Sequence, residues 1–567
     1  MYATFDTFEY VRPDLQHITE QFDEALNAFS SAPDFDRHWD AFGRLMQLRE
    51  GFSTMYNLCY IRHTVDTRDA FYKEENAYFD QHKPQYDELN HRLFQALLAS
   101  PFRAELEQKI GKHLFVLADI ASRSFSTDIM DLLRQENLLI SEYTRIKAQA
   151  AIDFEGKTYN LSSLQPLELS DDRSMRRRAS VVKWNHYAKT AADVEQIFDK
   201  MVKIRHEIAQ KLGFKNFVEV GYKRMYRSDY TPEMVANFRK QVRELIVPLA
   251  SALYEKQRRR LGLDRLSWYD EEYKFTTGNP KPTGTPDEIV ANAARLYREL
   301  SPDTDAFFQY MQNSRLMDLI NRTGKAPVGY CTYLVDFKAP FIFSNFNGTT
   351  GDIDVLTHEA GHAFQVWCSG QRFNIEEYHW PTSDAAEIHS MSMEFFTWPW
   401  MDLFFGEQTD KYHFMHLAGA IHFLPYGVAV DEFQHIIYEN PDMTPAERNE
   451  AWRNLERTYL PHRNYEDVEF LENGGFWQKQ SHIFNHPFYY IDYTLAQICA
   501  FQFWTRDKQD HTSAWHDYVE LCKAGGSKSF LDLLKLANLR SPFDDGCVAS
   551  VVGEISDFLN SINDTKL

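Results

Sequence analysis

The stretch Val355-Leu356-Thr357-His358-Glu359-Ala360-Gly361-His362-Ala363-Phe364-Gln365 sets an HExxH pattern inside an apolar run. Residues on an α-helix advance about 100° each, so His358 and His362 project from one face about one turn apart and can reach one small cation. Glu359 lies beside that face. Val355, Leu356, Ala360, Ala363, Phe364, Val366 and Trp367 make the rest of the helix apolar, which predicts burial of the polar groups, where unpaired charge is costly. One buried His is ordinarily a hydrogen-bonded core residue. Two His and a Glu on neighbouring faces fit a metal better: imidazole is a good Zn²⁺ ligand, and a catalytic zinc takes three protein ligands and leaves the fourth place for water.

A third ligand has to come from elsewhere in the chain. The extended pattern HExxHxxGxxH fails, because its remaining positions are Gln365 and Cys368. Cys368 points about 120° away from His362 on a continuing helix and reads as a core thiol. Acids on a second helix, after the loop from Ser369 to Pro381, are better placed. In Ser383-Asp384-Ala385-Ala386-Glu387-Ile388-His389-Ser390-Met391-Ser392-Met393-Glu394, Glu387 and Glu394 share a face, because seven residues make nearly two turns. They stand about 10 Å apart along the axis, so only one of them can bind a given zinc.

His358-Glu359-Ala360-Gly361-His362, then Glu387 25 residues after His362, with Asp384 three before it and Ser390 three after, resembles the thimet oligopeptidase and oligoendopeptidase F family of zinc peptidases. Asp318 to Gly329, containing Arg322-Thr323-Gly324-Lys325, is similar to that family's segment ahead of the active-site strand. Trp477 to Tyr493 is similar to its Tyr-rich C-terminal segment. Phe154-Glu155-Gly156-Lys157 followed by Asp172-Arg173 resembles the oligoendopeptidase F branch in particular. The resemblance covers most of the chain from about residue 150 onward. It implies that His358, His362 and Glu387 bind one Zn²⁺ per chain, which favours Glu387 over Glu394. It also implies a deep substrate channel, and a His and Tyr residues of the C-terminal segment acting on the carbonyl oxygen. Here that role falls on His482, Tyr490 and Tyr493; the two Tyr stand three apart on one helical face, and donors aimed at the oxygen stabilise the charge that develops there. The spacing of this segment departs slightly from the family's pattern.

Composition narrows the partners. A net charge of −21 argues against nucleic acid and makes a poor match for an anionic membrane surface. The 567 residues allow two to four domains, and an apolar fraction of 44% supplies sizeable cores. Six Cys, at 59, 331, 368, 499, 522 and 547, show no CxxC and fit free thiols in a reducing cytoplasm. Met1-Tyr2-Ala3-Thr4-Phe5-Asp6 lacks the basic start and apolar run of a secretory signal. The longest apolar stretch, Phe414 to Val430, carries His416, His422 and Pro425 and is too short and too polar to span a bilayer.

Along the chain, residues 1–150 read as a helical domain, with helices over Phe35–Val65, Arg68–Leu98 (bent at Pro84) and about Thr127–Ala150. Ala151–Leu161 changes period and reads as a hairpin around Glu155-Gly156-Lys157. The hairpin opens a second domain, residues 151–567. Gly213 reads as a helix C′ residue. Thr231-Pro232, Thr285-Pro286, Ser301-Pro302 and Thr444-Pro445 each read as an N-cap followed by Pro at the first helical position, with Glu447 completing a capping box. The run Lys256-Gln257-Arg258-Arg259-Arg260 reads as a salt-bridging face in so acidic a chain. Val328–Asn347 is the main strand region; its residues fit an ordinary buried strand as well as an edge that pairs with an extended peptide, and the resemblance implies the second.

These readings combine into a mainly α, zincin-type zinc peptidase with a small β-sheet beside the HExxH helix. Glu359 serves as general base on oligopeptide substrates, and cleavage falls at internal bonds. A zinc carboxypeptidase or dipeptidase would use the same ligands but needs a pocket for the terminal carboxylate. A non-catalytic peptide-binding protein has no use for Glu359, which is expensive to bury.

Overall fold

The computed structural model describes residues 3–161, 163–326, 328–466 and 468–567. Met1 and Tyr2, the start of the segment read for a leader, lie outside the described residues. The chain is mainly helical, with a two-stranded and a three-stranded sheet among the described residues.

Local sequence signals account for many element boundaries. Thr231, Thr285, Ser301 and Thr444 each accept a hydrogen bond from the backbone N–H three residues on, with Pro in the first turn, and Thr285–Glu288 and Thr444–Glu447 form capping boxes. Gly213, at φ 83°, closes a Schellman motif: its N–H reaches Gln210 O, and Phe214 N–H reaches Ala209 O. The hairpin pairs β1 (Ile152–Phe154) with β2 (Lys157–Tyr159) through Glu155 and Gly156, both at positive φ, as a type I′ turn requires. The helix expected from Arg68 starts at Ala70, because Asp69 caps it, and it continues through Pro84 to Leu98. The one expected from Thr127 opens as a 3₁₀ turn and becomes α-helical over Met130–Ala148. The basic run is a salt-bridged face: Arg258 and Arg259 each lie 2.8 Å from Glu255, and Arg260 pairs with Asp564.

The strand region divides into β4 (Tyr330–Leu334) and β5 (Ala339–Phe346), separated by a 3₁₀ turn that ends on Lys338 in the left-handed region. A third strand, β3 (Met317–Ile320), was not legible as a strand: it is four residues long and only Leu319 in it is buried. The order is β3-β5-β4, with β3 parallel and β4 antiparallel to β5. Central β5 is covered on both faces and so reads as a nearly continuous apolar run, Ala-Pro-Phe-Ile-Phe.

From β5 the chain turns at Asn347-Gly348 into the motif helix, Gly351–Arg372. Asp352, in its first turn, accepts from the N–H groups of Asn347 and Gly348 at 2.8 Å each, which fixes the angle between strand and helix. The acid helix, Ser383–Phe396, packs between the motif helix and the helix Tyr490–Gln509. Gly361 permits this approach, since a Cβ there would lie 2.7 Å from His389 O and 2.8 Å from Ser390 Cα. The largest core cluster gathers Phe343, Leu356, Phe364, Ile388 and Phe501 around these elements. Each fully buried side chain of this kind contributes about 1.5–3 kcal/mol.

The N-terminal helices have their own cluster, with Phe22, Leu45, Leu93 and Leu114, which closes over Ile375 and Tyr378 behind the motif helix. Arg49 reaches across to Glu377, and Asn57 donates to the Tyr333 carbonyl at the outer edge of β4. Among the described residues, no helix is long and apolar enough to cross a membrane.

Candidate active site

Three side chains from two helices converge. His358 Nε2 and His362 Nε2 lie 3.3 and 3.5 Å from Glu387 Oε2, and the three ligand atoms all fall within 4.8 Å of one another. Ligand atoms about 2.0–2.1 Å from a tetrahedral zinc stand about 3.3 Å apart, close to the two distances measured from Glu387 Oε2. The donors, two imidazoles and a carboxylate, are the types that suit it. His362 Nδ1 and Glu359 Oε2 are buried without hydrogen-bond partners among the described residues.

The second acid on the shared face takes a different place. Glu394 Oε1 lies 2.7 Å from His358 Nδ1, and its Oε2 lies 2.7 Å from His416 Nε2. Glu387 is held on its other sides: Ser390 donates to Oε2 at 2.8 Å and the Tyr489 hydroxyl donates to Oε1 at 2.9 Å. Asp384, three residues before it, accepts from the Tyr230 hydroxyl.

Burial disfavours the imidazolium of His358, yet the hydrogen bonds to Glu387 and Glu394 prevail and push its pKa well above the usual value. Burial likewise opposes charge on Glu387, but His362 and His358 hold its carboxyl well below the usual range. Glu394 is held down to about 2, with His358 and His416 outweighing burial. Ionised acids around two imidazoles make a site built for positive charge. Glu359 behaves oppositely: burial raises its carboxyl above the usual range, only partly countered by His358 and His362. A carboxylate whose pKa is raised by burial binds a proton more readily, which suits it to accepting and returning one.

The C-terminal segment forms the facing wall. The His482 ring lies 5.7, 5.0 and 6.1 Å from the rings of Tyr489, Tyr490 and Tyr493, so the structure brings all three chosen residues together. Burial lowers His482 to about 4, which leaves a neutral ring with one N–H to donate. The tyrosine that touches the ligand set is Tyr489, which the sequence reading passed over. It stands one residue before the helix Tyr490–Gln509, so a choice made on one helical face omits it. Tyr490 packs instead against Phe423 and Tyr426, at 5.7 and 5.8 Å between ring centres. The chain entering β4 reaches the same place: a Cβ on Gly329, the residue before the strand, would lie 3.9 Å from Glu359 Oε1.

The sequence pattern of peptidase family M3 matches residues 167–552, and that of the peptidase M3 N-terminal domain matches residues 5–125. The chain belongs to peptidase family M3. This agrees with the family read from the HExxH helix and its distant acid, and with the mainly α fold expected from it. A curated relative, the oligoendopeptidase F homolog of Borreliella burgdorferi, is 21% identical over 383 residues, a match covering 65% of this chain and 62% of that protein. The matched part therefore spans less than two thirds of that relative. Two solved structures are more similar to this M3 chain. One, provisionally described as an oligoendopeptidase F, is 55% identical with a TM-score of 0.95 over 100% of both chains. The other, PZ peptidase A with an inhibitor, is 54% identical with a TM-score of 0.95 over 99% of this chain and 100% of that one.

Proposed function

We propose that this M3 chain is a zinc-dependent endopeptidase that hydrolyses internal bonds of short, unstructured oligopeptides in the cytoplasm. The observation that carries this reading is the convergence of His358, His362 and Glu387 within 4.8 Å, with the buried carboxylate of Glu359 beside them on the motif helix. His358, His362 and Glu387 would hold the Zn²⁺, which when bound polarises a scissile carbonyl and acidifies a water molecule. Glu359 takes the proton from the water and passes it to the leaving amine. His482, Tyr490 and Tyr493 supply N–H and O–H donors for the carbonyl oxygen as its charge grows. Tyr489 holds Glu387 in place.

The substrate backbone is read as lying along β4. Tyr333 turns its carbonyl away from β5, toward Asn57. By the two-residue repeat of a strand, Cys331 turns its backbone the same way, nearer to Glu359. An extended peptide can pair there, with its cleaved bond at the ligand set.

The surrounding helices are read as walls of a channel that admits chains and excludes folded domains. Ten extended residues reach about 33 Å, whereas a domain of about a hundred residues has a radius of gyration near 13 Å. Metal analysis paired with mass spectrometry of products from a mixed peptide pool tests the proposal. Internal cuts that a chelator stops are expected. Products shortened only at the C-terminus would turn the reading toward a carboxypeptidase, and absence of metal-dependent turnover would reject catalysis. A folded protein cut in a surface loop as fast as a decapeptide of the same sequence would remove the channel.

A further inference from the structure

Beyond the Glu394–His416 pair lies a cavity of about 420 Å³, with Asp354 and His416 on the side of the motif helix and Lys479 among its other lining residues. The Lys479 ammonium rests 4.1 Å from the ring centre of Phe476 and 5.6 Å from that of Tyr426. Among the described residues its Nζ has no carboxylate or hydrogen-bond partner; only its backbone carbonyl is engaged, by Lys147. The two acids that act on it, Glu271 and Glu272, line the same cavity and face other cations, Arg463 and Lys274. Glu271 is bonded to Arg463 at 2.9 Å and lies 3.4 Å from His462, and the Glu272 side chain is 82% exposed. Burial, reinforced by Arg463 and Lys183, brings the ammonium down to about 7 against the pull of Glu272 and Glu271.

His422 lines the same cavity. Its ring stacks on Tyr254 at 3.9 Å, and both of its ring nitrogens are buried without a partner among the described residues. The half-buried Lys479 ammonium, with no carboxylate bonded to it among the described residues, and the His422 imidazole, with its N–H unused, line one cavity, a costly arrangement unless an anion completes it. The aromatic faces around it suit the apolar part of a peptide rather than a small inorganic ion. Phe423, also in the cavity wall, joins it to the tyrosine cluster, 5.7 Å from the Tyr490 ring and 6.3 Å from the Tyr493 ring.

We infer that this cavity receives a carboxylate of the substrate, held by Lys479 and His422. The carboxylate is either the peptide's C-terminus or an acidic side chain beyond the cleaved bond. This rests on the peptidase reading and adds a specificity subsite to it. Because Glu394 and His416 stand between the cavity and His358, the carboxylate belongs to a residue further along than the one next to the cut. Cleavage then stays internal even when the C-terminus is the part recognised.

The test uses one peptide in three forms: a free acid with one internal Glu, its C-terminal amide, and the free acid with that Glu replaced by Gln. Binding is measured by calorimetry on metal-loaded Glu359→Gln protein, and turnover of the same peptides on the unaltered enzyme. One of the two carboxylate-deleted peptides is expected to bind at least about tenfold more weakly, and which one identifies the source. Lys479→Met should erase that difference, and Lys479→Arg should restore it. Equal binding of all three peptides where Lys479 is intact would overturn the inference, as would a preference that survives Lys479→Met. If Lys479→Met does not fold, the three-peptide comparison on intact Lys479 decides alone. Carboxylate-dependent binding without any hydrolysis would leave the subsite standing and reject the peptidase reading; hydrolysis without the preference would do the reverse.

Discussion

His358 Nδ1 lies 2.7 Å from Glu394 Oε1, which leaves Nε2 as the ring nitrogen facing Glu387, 3.3 Å away. Two acids seven residues apart on one helix therefore meet the same imidazole from opposite sides. One is placed to share a cation with it and the other to orient it.

The two acids should separate on mutation. Glu387→Ala is expected to reduce metal binding severely, whereas Glu394→Gln should retain metal with affinity lowered about 10–100-fold, the usual effect of losing a partner that orients a ligating His. Metal titration followed by calorimetry reads both. Tighter retention in Glu387→Ala than in Glu394→Gln would exchange their roles.

Glu359→Gln should keep the fold and the bound metal while losing at least about 10²-fold in turnover, because the amide cannot accept the proton of the attacking water. Near-normal turnover by metal-replete Glu359→Gln protein would exclude Glu359 as the base.

Gly361→Ala tests the geometry rather than the chemistry. The added methyl would lie 2.7 Å from His389 O and 2.8 Å from Ser390 Cα, so the acid helix must move away from the motif helix. The expected cost is about 1–3 kcal/mol in stability. Metal affinity should fall with it, since Glu387 travels with the acid helix. Unchanged melting temperature and unchanged metal affinity would show that the contact is not needed.

The tyrosines should divide by what they touch. Tyr489→Phe removes the hydroxyl that holds Glu387 and is expected to weaken metal binding by about tenfold. Tyr490→Phe and Tyr493→Phe should leave metal binding alone. If either aims at the reacting oxygen, that variant loses about 10²-fold in kcat. Steady-state kinetics on metal-saturated protein distinguishes these effects, and a Tyr489→Phe loss confined to kcat at full metal occupancy would move the donor role to Tyr489.

What the sequence by itself determined is local. The motif helix and acid helix, the four Thr-Pro and Ser-Pro helix starts, the Glu155-Gly156 hairpin and the Schellman glycine Gly213 all follow from spacing and backbone preference within a few residues. So does the presence of two His and a Glu on adjacent faces of one helix. Tertiary structure decided what crosses between elements. Periodicity puts Glu387 and Glu394 on one face, but their roles depend on the height at which the acid helix meets the motif helix, and that height is set where His389 and Ser390 pack on Gly361. Tyr489 reaches Glu387 because the helix it precedes packs along the acid helix, a relation between segments about a hundred residues apart. β3 exists because β5 pairs with it, since four residues with one buried side chain carry no strand signal of their own. Nothing in the spacing around Lys479 singles it out. The folding of Phe476 and Tyr426 around it leaves its ammonium without a hydrogen-bonded partner among the described residues, because burial and the distance to other charges are properties of the assembled chain.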